Sequence, residues 1–278
     1  MSSIKDRQRA AARARLEKEM AERAAHARKR RQRQAIIGSA IAVVIIAGAA
    51  VWIVSSMKDD KKTPAASASA AVPAGQVACT WTPSDPSTGG KIKDVGLPPK
   101  TAPNTGTATL TIKTNLGTIE ATMDRSKVPC TAESFQYLTS KKFFDNSKCH
   151  RLVNQAQFSV LQCGDPFATG KGWRETDGTG GPSYTMQEEN LPTNQTKPYP
   201  AGSIAMANTG QPGSTGSQFF IVAKDTTLDP AYTLLGNIKT GLNIVQDVVK
   251  AGDDEAFASQ AGGGHPKKEV VIESMTVA

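Results

Sequence analysis

Along Thr107-Ala-Thr-Leu-Thr-Ile-Lys113 small or polar residues alternate with apolar ones, the period-two pattern of a strand with one buried face. Asn115-Leu116-Gly117 supplies a turn and Thr118-Ile-Glu-Ala-Thr-Met123 alternates again, which predicts a β-hairpin. Pro129 stands where a first helical turn accepts it, and Phe135 and Leu138 fall three apart, so a helix is predicted near Thr131–Ser140. Short strands are predicted at Cys149–Val153, Ser159–Gln162, Gly202–Ala205, Gln218–Val222 and Thr233–Ile238. Leu242, Val245 and Val249 mark a second helix that Gly252 ends, and Val270, Ile272 and Met275 mark a last strand. Many short strands, two helices and frequent Gly/Pro turns predict a mainly β domain over 106–278, built as a closed antiparallel barrel with helices over its openings.

Ahead of this domain the pattern is of another kind. Ala35–Val54 is a run of twenty residues without a charge, long enough as a helix to rise about 30 Å, the thickness of a hydrocarbon core. Trp52 sits near one end, where an aromatic ring suits the headgroup boundary. Arg28-Lys29-Arg30-Arg31-Gln32-Arg33 precedes the run and only the mixed Lys58-Asp59-Asp60-Lys61-Lys62 follows it. The expectation is one membrane-spanning helix at 35–56, with a basic cytoplasmic tail at 1–34 and the folded domain outside. A cleaved signal peptide would have a shorter apolar region and a shorter charged start. A lipid anchor at Cys79 would lie more than twenty residues beyond the apolar run, and a buried core helix would seldom be apolar all round. Residues 57–105 turn to Lys, Ala, Ser, Pro, Thr and Gly and read as an extracytoplasmic tether. Cys79 and Trp81 are positioned to pin part of its second half to the domain.

Charge sharpens this division. Residues 1–34 hold twelve Lys/Arg against four Asp/Glu, and the rest of the chain holds 21 of each sign. The net charge of +8 therefore belongs to the tail, which can contact anionic lipid, and the folded domain gives no reason to expect nucleic acid. Cys79, Cys130, Cys149 and Cys163 all follow the apolar run, so disulfides are expected, with three connectivities open. No C-x-x-C occurs and histidines are few, so no metal or other cofactor is expected.

No nucleophile–base pair, phosphate loop or dinucleotide fingerprint stands out. A set of short segments does: Cys149-His-Arg-Leu-Val153, Phe158-Ser-Val-Leu-Gln-Cys-Gly-Asp165, Gly178-Thr-Gly-Gly181, Ala205-Met-Ala-Asn208, Gly216-Ser-Gln-Phe-Phe-Ile221 and Leu228-Asp-Pro-Ala-Tyr-Thr-Leu-Leu-Gly236. In this order and spacing they resemble the cyclophilin-type peptidyl-prolyl cis–trans isomerases, from about Thr107 to the last residue. With the apolar run and four cysteines, the chain resembles the membrane-anchored members of high-GC Gram-positive bacteria.

The resemblance implies an eight-stranded closed barrel and an isomerase acting on proline-containing segments of unfolded or partly folded proteins. It casts Arg151 as the catalytic group, stabilising the twisted X–Pro amide without covalent chemistry. Substrate contacts are implied for His150, Phe158, Val160, Gln162, Ala207, Asn208, Gln218, Phe220, Leu228, Tyr232 and Leu235. Several positions depart from the family pattern. Ser159 stands where the pocket phenylalanine is usual, with Phe158 one place off, so an insertion or bulge is expected to restore it. Val160, Thr227, Tyr232 and Leu235 replace a methionine, a tryptophan, a histidine and a phenylalanine. These changes keep a second reading open, a module that binds proline segments with little turnover. The family's fold also implies the pairings Cys149–Cys163 and Cys79–Cys130.

Overall fold

The computed structural model describes residues 72–278 apart from 171, 173 and 260. The basic tail, the membrane helix expected at 35–56 and the first part of the tether lie outside the described residues. Among those described, no helix is long and apolar enough to cross a membrane.

Four short strands come first: β1 (Gln76–Ala78), β2 (Thr82–Pro83), β3 (Lys91–Lys93) and β4 (Thr101–Pro103). The hairpin β5 (Thr107–Thr114) and β6 (Gly117–Asp124) follows, then helix α1 (Pro129–Ser140). Next are β7 (Ser147–Lys148), β8 (Arg151–Gln155), β9 (Phe158–Cys163), β10 (Gly180–Pro182), β11 (Tyr184–Thr185), β12 (Ser203–Met206) and β13 (Phe219–Val222). β14 (Leu234–Thr240), helix α2 (Leu242–Ala251) and β15 (Val271–Val277) complete the order.

Nine strands form one sheet in the order β7-β15-β5-β6-β14-β12-β13-β9-β8. The eight strands and closed ladder expected are therefore corrected: the two end strands of the order are not hydrogen-bonded to each other. They are instead one run of chain, broken only at Cys149 and His150, that pairs with β15 through its first half and with β9 through its second. The break occurs where backbone bonds leave the sheet, Lys148 N–H donating to Ala168 O at 2.6 Å. A single bent segment thus serves both ends, and the sheet curls into a half-barrel.

The alternating residues sort to two faces as period two requires. Leu110, Ile112, Ile119, Met123, Leu152, Leu161, Phe219 and Ile221 enter the main core, with Phe135 and Leu138 of α1 and Val245, Val248 and Val249 of α2. The adjacent Phe220 and Val222 join a second, smaller cluster with Val153, Val160, Tyr199 and Ala205. At the start of α1, Val128 offers no side-chain cap. The carboxylate of Glu189 takes that role from a distance, accepting from Cys130 N at 3.1 Å and Thr131 N at 2.8 Å.

Residues 76–103 are not tether, and the expected boundary at 105 moves back accordingly. β1 pairs with β4, β3 runs parallel to β10, and β2 pairs with β11. Cys79 bonds Cys130 of α1, and Trp81 meets Tyr184 edge-on at 5.3 Å while its indole N–H donates to Pro99 O. A stretch too polar to build its own core is ordered by ladders borrowed from the domain and by one staple. We call residues 76–103 the strap. Both disulfides follow the pairing implied by the family, Cys79–Cys130 and Cys149–Cys163.

Candidate active site

The ladder between β8 and β9 places Arg151 opposite Gln162, Val153 opposite Val160 and Gln155 opposite Phe158. The ladder is uninterrupted, so no bulge carries Phe158 to the site. It lies four residues before Gln162 and shares its face by parity, while Ser159 is buried on the other side. On the next strand Phe220 stands opposite Gln162 and Val222 opposite Val160, and Ala205 of β12 stands opposite Phe220.

These residues make an apolar cup. Its floor is Val153, Val160, Ala205, Phe220 and Val222, and its half-buried rim includes Phe158, Ala207, Leu228, Tyr232 and Leu234. The Tyr232 ring meets Phe220 edge-on at 5.5 Å, and Tyr199 accepts from Tyr232 N–H and donates to Tyr232 O, both at 3.0 Å.

Arg151 stands half-buried beside the cup, its guanidinium carbon 5.7 Å from the centre of the Phe158 ring. Nε–H donates to Gly262 O at 3.0 Å, Nη1 to Gln162 Oε1 at 3.0 Å, and Nη2 to Ala261 O. Burial draws its pKa below the usual value, but an arginine stays charged at any physiological pH. The loop supplying the two carbonyls passes close to β8: a side chain on Gly263 would place Cβ 1.9 Å from Leu152 O. Further along, His265 Nδ1 lies 2.9 Å from Asp254 Oδ2, which fastens the loop's two ends.

A relay of amides extends from the arginine. Gln162 Nε2 donates to Gln218 Oε1 at 3.0 Å, and Gln218 Nε2 donates to Gly178 O at 2.8 Å and Gly180 O at 2.9 Å. Asp165, fully buried, sets those glycines by accepting from Gly178 N at 2.6 Å and Gly180 N at 3.2 Å. Gln218 is thus a positioning residue here. Asn208 commits its side chain, donating to Ala231 O and accepting from Gly210 N. Beside Gln162, Ala207, Asn208 and Gln218 opens a groove of about 500 Å³.

Two expected contacts are corrected. His150 is 2% exposed, precedes β8 where the strand is broken, and packs its ring against Gly178, where an added Cβ would lie 3.0 Å from it. Leu235 lies in the main core, and Leu234 takes the place at the rim. The cup residues that sequence reasoning missed are Val153, Tyr199, Ala205, Val222 and Leu234. Parity from Arg151 and Phe220 could have found Val153 and Val222; nothing local marks Tyr199.

The profile of the family described as "Cyclophilin type peptidyl-prolyl cis-trans isomerase/CLD" matches residues 109–277. The chain belongs to the cyclophilin family. It is 41% identical over 180 residues to the protein named "Probable peptidyl-prolyl cis-trans isomerase B" of Mycobacterium leprae, covering 61% of this chain and 56% of that one. The protein of that name from Mycobacterium tuberculosis is 38% identical over 203 residues, covering 68% of this chain and 61% of its own length. The chain thus spans about six-tenths of the length of these cyclophilin relatives. In fold it is similar to the crystal structure of a Cryptosporidium parvum cyclophilin type isomerase, with a TM-score of 0.51 and 23% identity, over 62% of this chain and 98% of that one.

His150 carries a measurable consequence of its burial in this cyclophilin fold. Neither ring nitrogen has a hydrogen-bond partner among the described residues. Burial draws its pKa from 6.5 down to about 4, against the Asp165 carboxylate, which pushes it up; Arg151 and His265 add to the lowering. The unfolded chain then takes up a proton that the native state refuses. Stability from this group is complete above pH 6.5 and is lost as pH falls towards 4, by roughly 3 kcal/mol. Urea unfolding of the wild type and His150→Gln from pH 7 to 4 checks this. The wild type should lose its advantage over that window, and parallel pH curves would disprove it.

Proposed function

We propose that the domain catalyses cis–trans isomerisation of X–Pro bonds in unfolded or partly folded polypeptides. The observation that carries this is a charged guanidinium fixed in plane at the mouth of an apolar cup. Three of its five N–H donors are held by Gly262, Gln162 and Ala261, which leaves two for a substrate. Rotation about X–Pro must break amide resonance, over a barrier of about 18–20 kcal/mol, and localises a lone pair on the prolyl nitrogen. An N–H aimed at that nitrogen gains most in the twisted state, which is the difference in binding that catalysis needs. The cup of Val160, Phe220 and their neighbours holds the ring and keeps water from weakening the arginine's field. No bond is made or broken, so no nucleophile or proton transfer enters.

A protease-coupled assay of the full chain in detergent, with an Ala-Pro peptide, tests the reading. Isomerisation faster than the uncatalysed tens of seconds is expected. Binding of the peptide with no rate above background would favour the second reading, a proline-binding module. Thr227, exposed where the family commonly carries a tryptophan, is the feature that keeps that alternative in view.

The same reading puts the domain outside a membrane on the apolar helix at 35–56, with the tail at 1–34 in the cytoplasm. The uncharged run, its one-sided basic flank and the two disulfides of the domain support it. Clients would then be secreted or envelope proteins at an early stage of folding.

A further inference from the structure

Two of the three bonds that fix the Arg151 guanidinium come from one loop, through Gly262 O and Ala261 O. The loop runs from Asp253 to Pro266, between α2 and β15, and has no helix or strand among its described residues. Gly262 and Gly263 both take left-handed φ, 82° and 72°, which turns the chain sharply where the two carbonyls meet the guanidinium. The limb returning from this turn lies along β8, Leu152 N–H donating to Gly264 O at 2.7 Å and Gly264 N–H to Leu152 O at 3.0 Å.

An irregular loop of this kind opens readily unless something ties its limbs. A carboxylate supplies the tie. Asp254 Oδ1 accepts from Ala256 N–H at 3.1 Å on the outgoing limb and from His265 N–H at 2.7 Å on the returning one, and Oδ2 lies 2.9 Å from His265 Nδ1. The N–H of Asp254 donates in turn to His265 O at 3.1 Å. The carboxylate presses so closely on the returning limb that a Cβ on Gly264 would lie 2.2 Å from Oδ1. Phe257 backs it, pairing through its backbone with Gly262 and Gly263 at 2.9 Å and meeting the His265 ring edge-on at 4.8 Å. The Asp254 side chain is 41% exposed and belongs to neither the cup nor the groove, so neither the core nor the binding surface depends on it directly.

We propose that Asp254 is a positioning residue for the isomerisation. Its carboxylate clasps the two limbs of the loop, and the clasp holds Gly262 O and Ala261 O where they fix the plane of the guanidinium. The kinetic part of this inference rests on the isomerase reading above. A preorganised donor must be held to within about 0.5 Å and about 10–20° of its productive geometry. Gln162 alone would hold one N–H and leave the guanidinium free to swing about it. Loosening the clasp therefore costs rate rather than binding, because the cup is untouched.

NMR of the full chain in detergent, with its arginines isotope-labelled, gives the direct readout. The Arg151 Nε–H resonance, identified by its absence from Arg151→Ala, should exchange slowly with water in the wild type. In Asp254→Ala it should move to the position and fast exchange of free arginine side chains. With an Ala-Pro peptide the same variant should lose about tenfold in kcat, with KM within about twofold. Asp254→Asn keeps an oxygen for the two backbone N–H groups, so its kcat should stay within about twofold of the wild type. If Asp254→Ala folds poorly, Asp254→Ser, whose oxygen sits one atom short, takes its place with a loss of about threefold. An unmoved resonance, an unchanged kcat, or Asp254→Asn as slow as the alanine variant would overturn the inference. A wild type that shows the protected resonance but no turnover would refute the isomerase reading instead, and the resonance would still report whether the clasp holds the arginine.

Discussion

Replacing Arg151 with alanine should lower kcat/KM for an Ala-Pro peptide by about 10²- to 10³-fold, the range found when one preorganised donor is taken from a transition-state site. The fall should appear in kcat, with KM little changed, because the cup proposed to hold the proline ring stays whole while the interaction made in the twisted state is lost. Arg151→Lys should recover only a small part. An ammonium is a point charge on a flexible stem, and it cannot satisfy Gly262 O, Ala261 O and Gln162 Oε1 from one plane while still presenting donors to substrate. Two of those acceptors are backbone carbonyls on a loop that water can reach once the side chain is gone, so the variant should fold. Its melting temperature, measured beside the kinetics, separates lost chemistry from lost structure. Activity of Arg151→Ala within threefold of the wild type would show that the guanidinium is not the catalytic group.

How far such a site is legible in sequence depends on whether local periodicity survives in three dimensions. The hairpin β5–β6 was legible because each strand alternates for eight residues and the ladder between them has no irregularity. Parity also separates Phe219, in the main core, from Phe220, in the cup, whereas His150 falls in the break before β8 where no alternation reports its direction. Leu235 was beyond its reach. The pairing of β12 with β14 shifts register between Ile204 and Ala205, so Ala205 lies opposite Leu234 where an even ladder would give Leu235. One extra residue moves the next side chain to the other face, and no pattern of apolar residues reports it. The strap was illegible for a different reason. Its strands are two or three residues long and their partners lie far along the chain, at Gly180–Pro182 and Tyr184–Thr185 for two of them. Composition read it as tether because its order comes from tertiary pairing rather than from its own apolar content.

Removing the Cys79–Cys130 bridge, by Cys79→Ala with Cys130→Ala, should cost about 4 kcal/mol of unfolding free energy by the loop-closure estimate. The separation of 51 residues is what makes this large; the separation of 14 from Cys149 to Cys163 gives about 3 kcal/mol on the same scale. The longer bridge joins the strap to α1, which Tyr137 Oη also reaches by donating to Val95 O. Cys79 leaves the strap just after β1, and Cys130 sits in the first turn of α1, beside the Glu189 contacts that cap the helix. Without the bond, the strap depends on ladders of two or three residue pairs, on Trp81 and on side-chain bonds such as those of Tyr137 to Val95 O, Lys93 to Phe143 O and Ser84 to Pro182 O, while the core and the Arg151 relay keep every contact described above. The urea midpoint should therefore fall with little change in its slope if strap and barrel still unfold together. A shallower or biphasic transition would mean that the strap melts first as a separate unit. A loss below about 1 kcal/mol would contradict the loop-closure argument, because it would mean that the unfolded chain gains little freedom when the staple is cut.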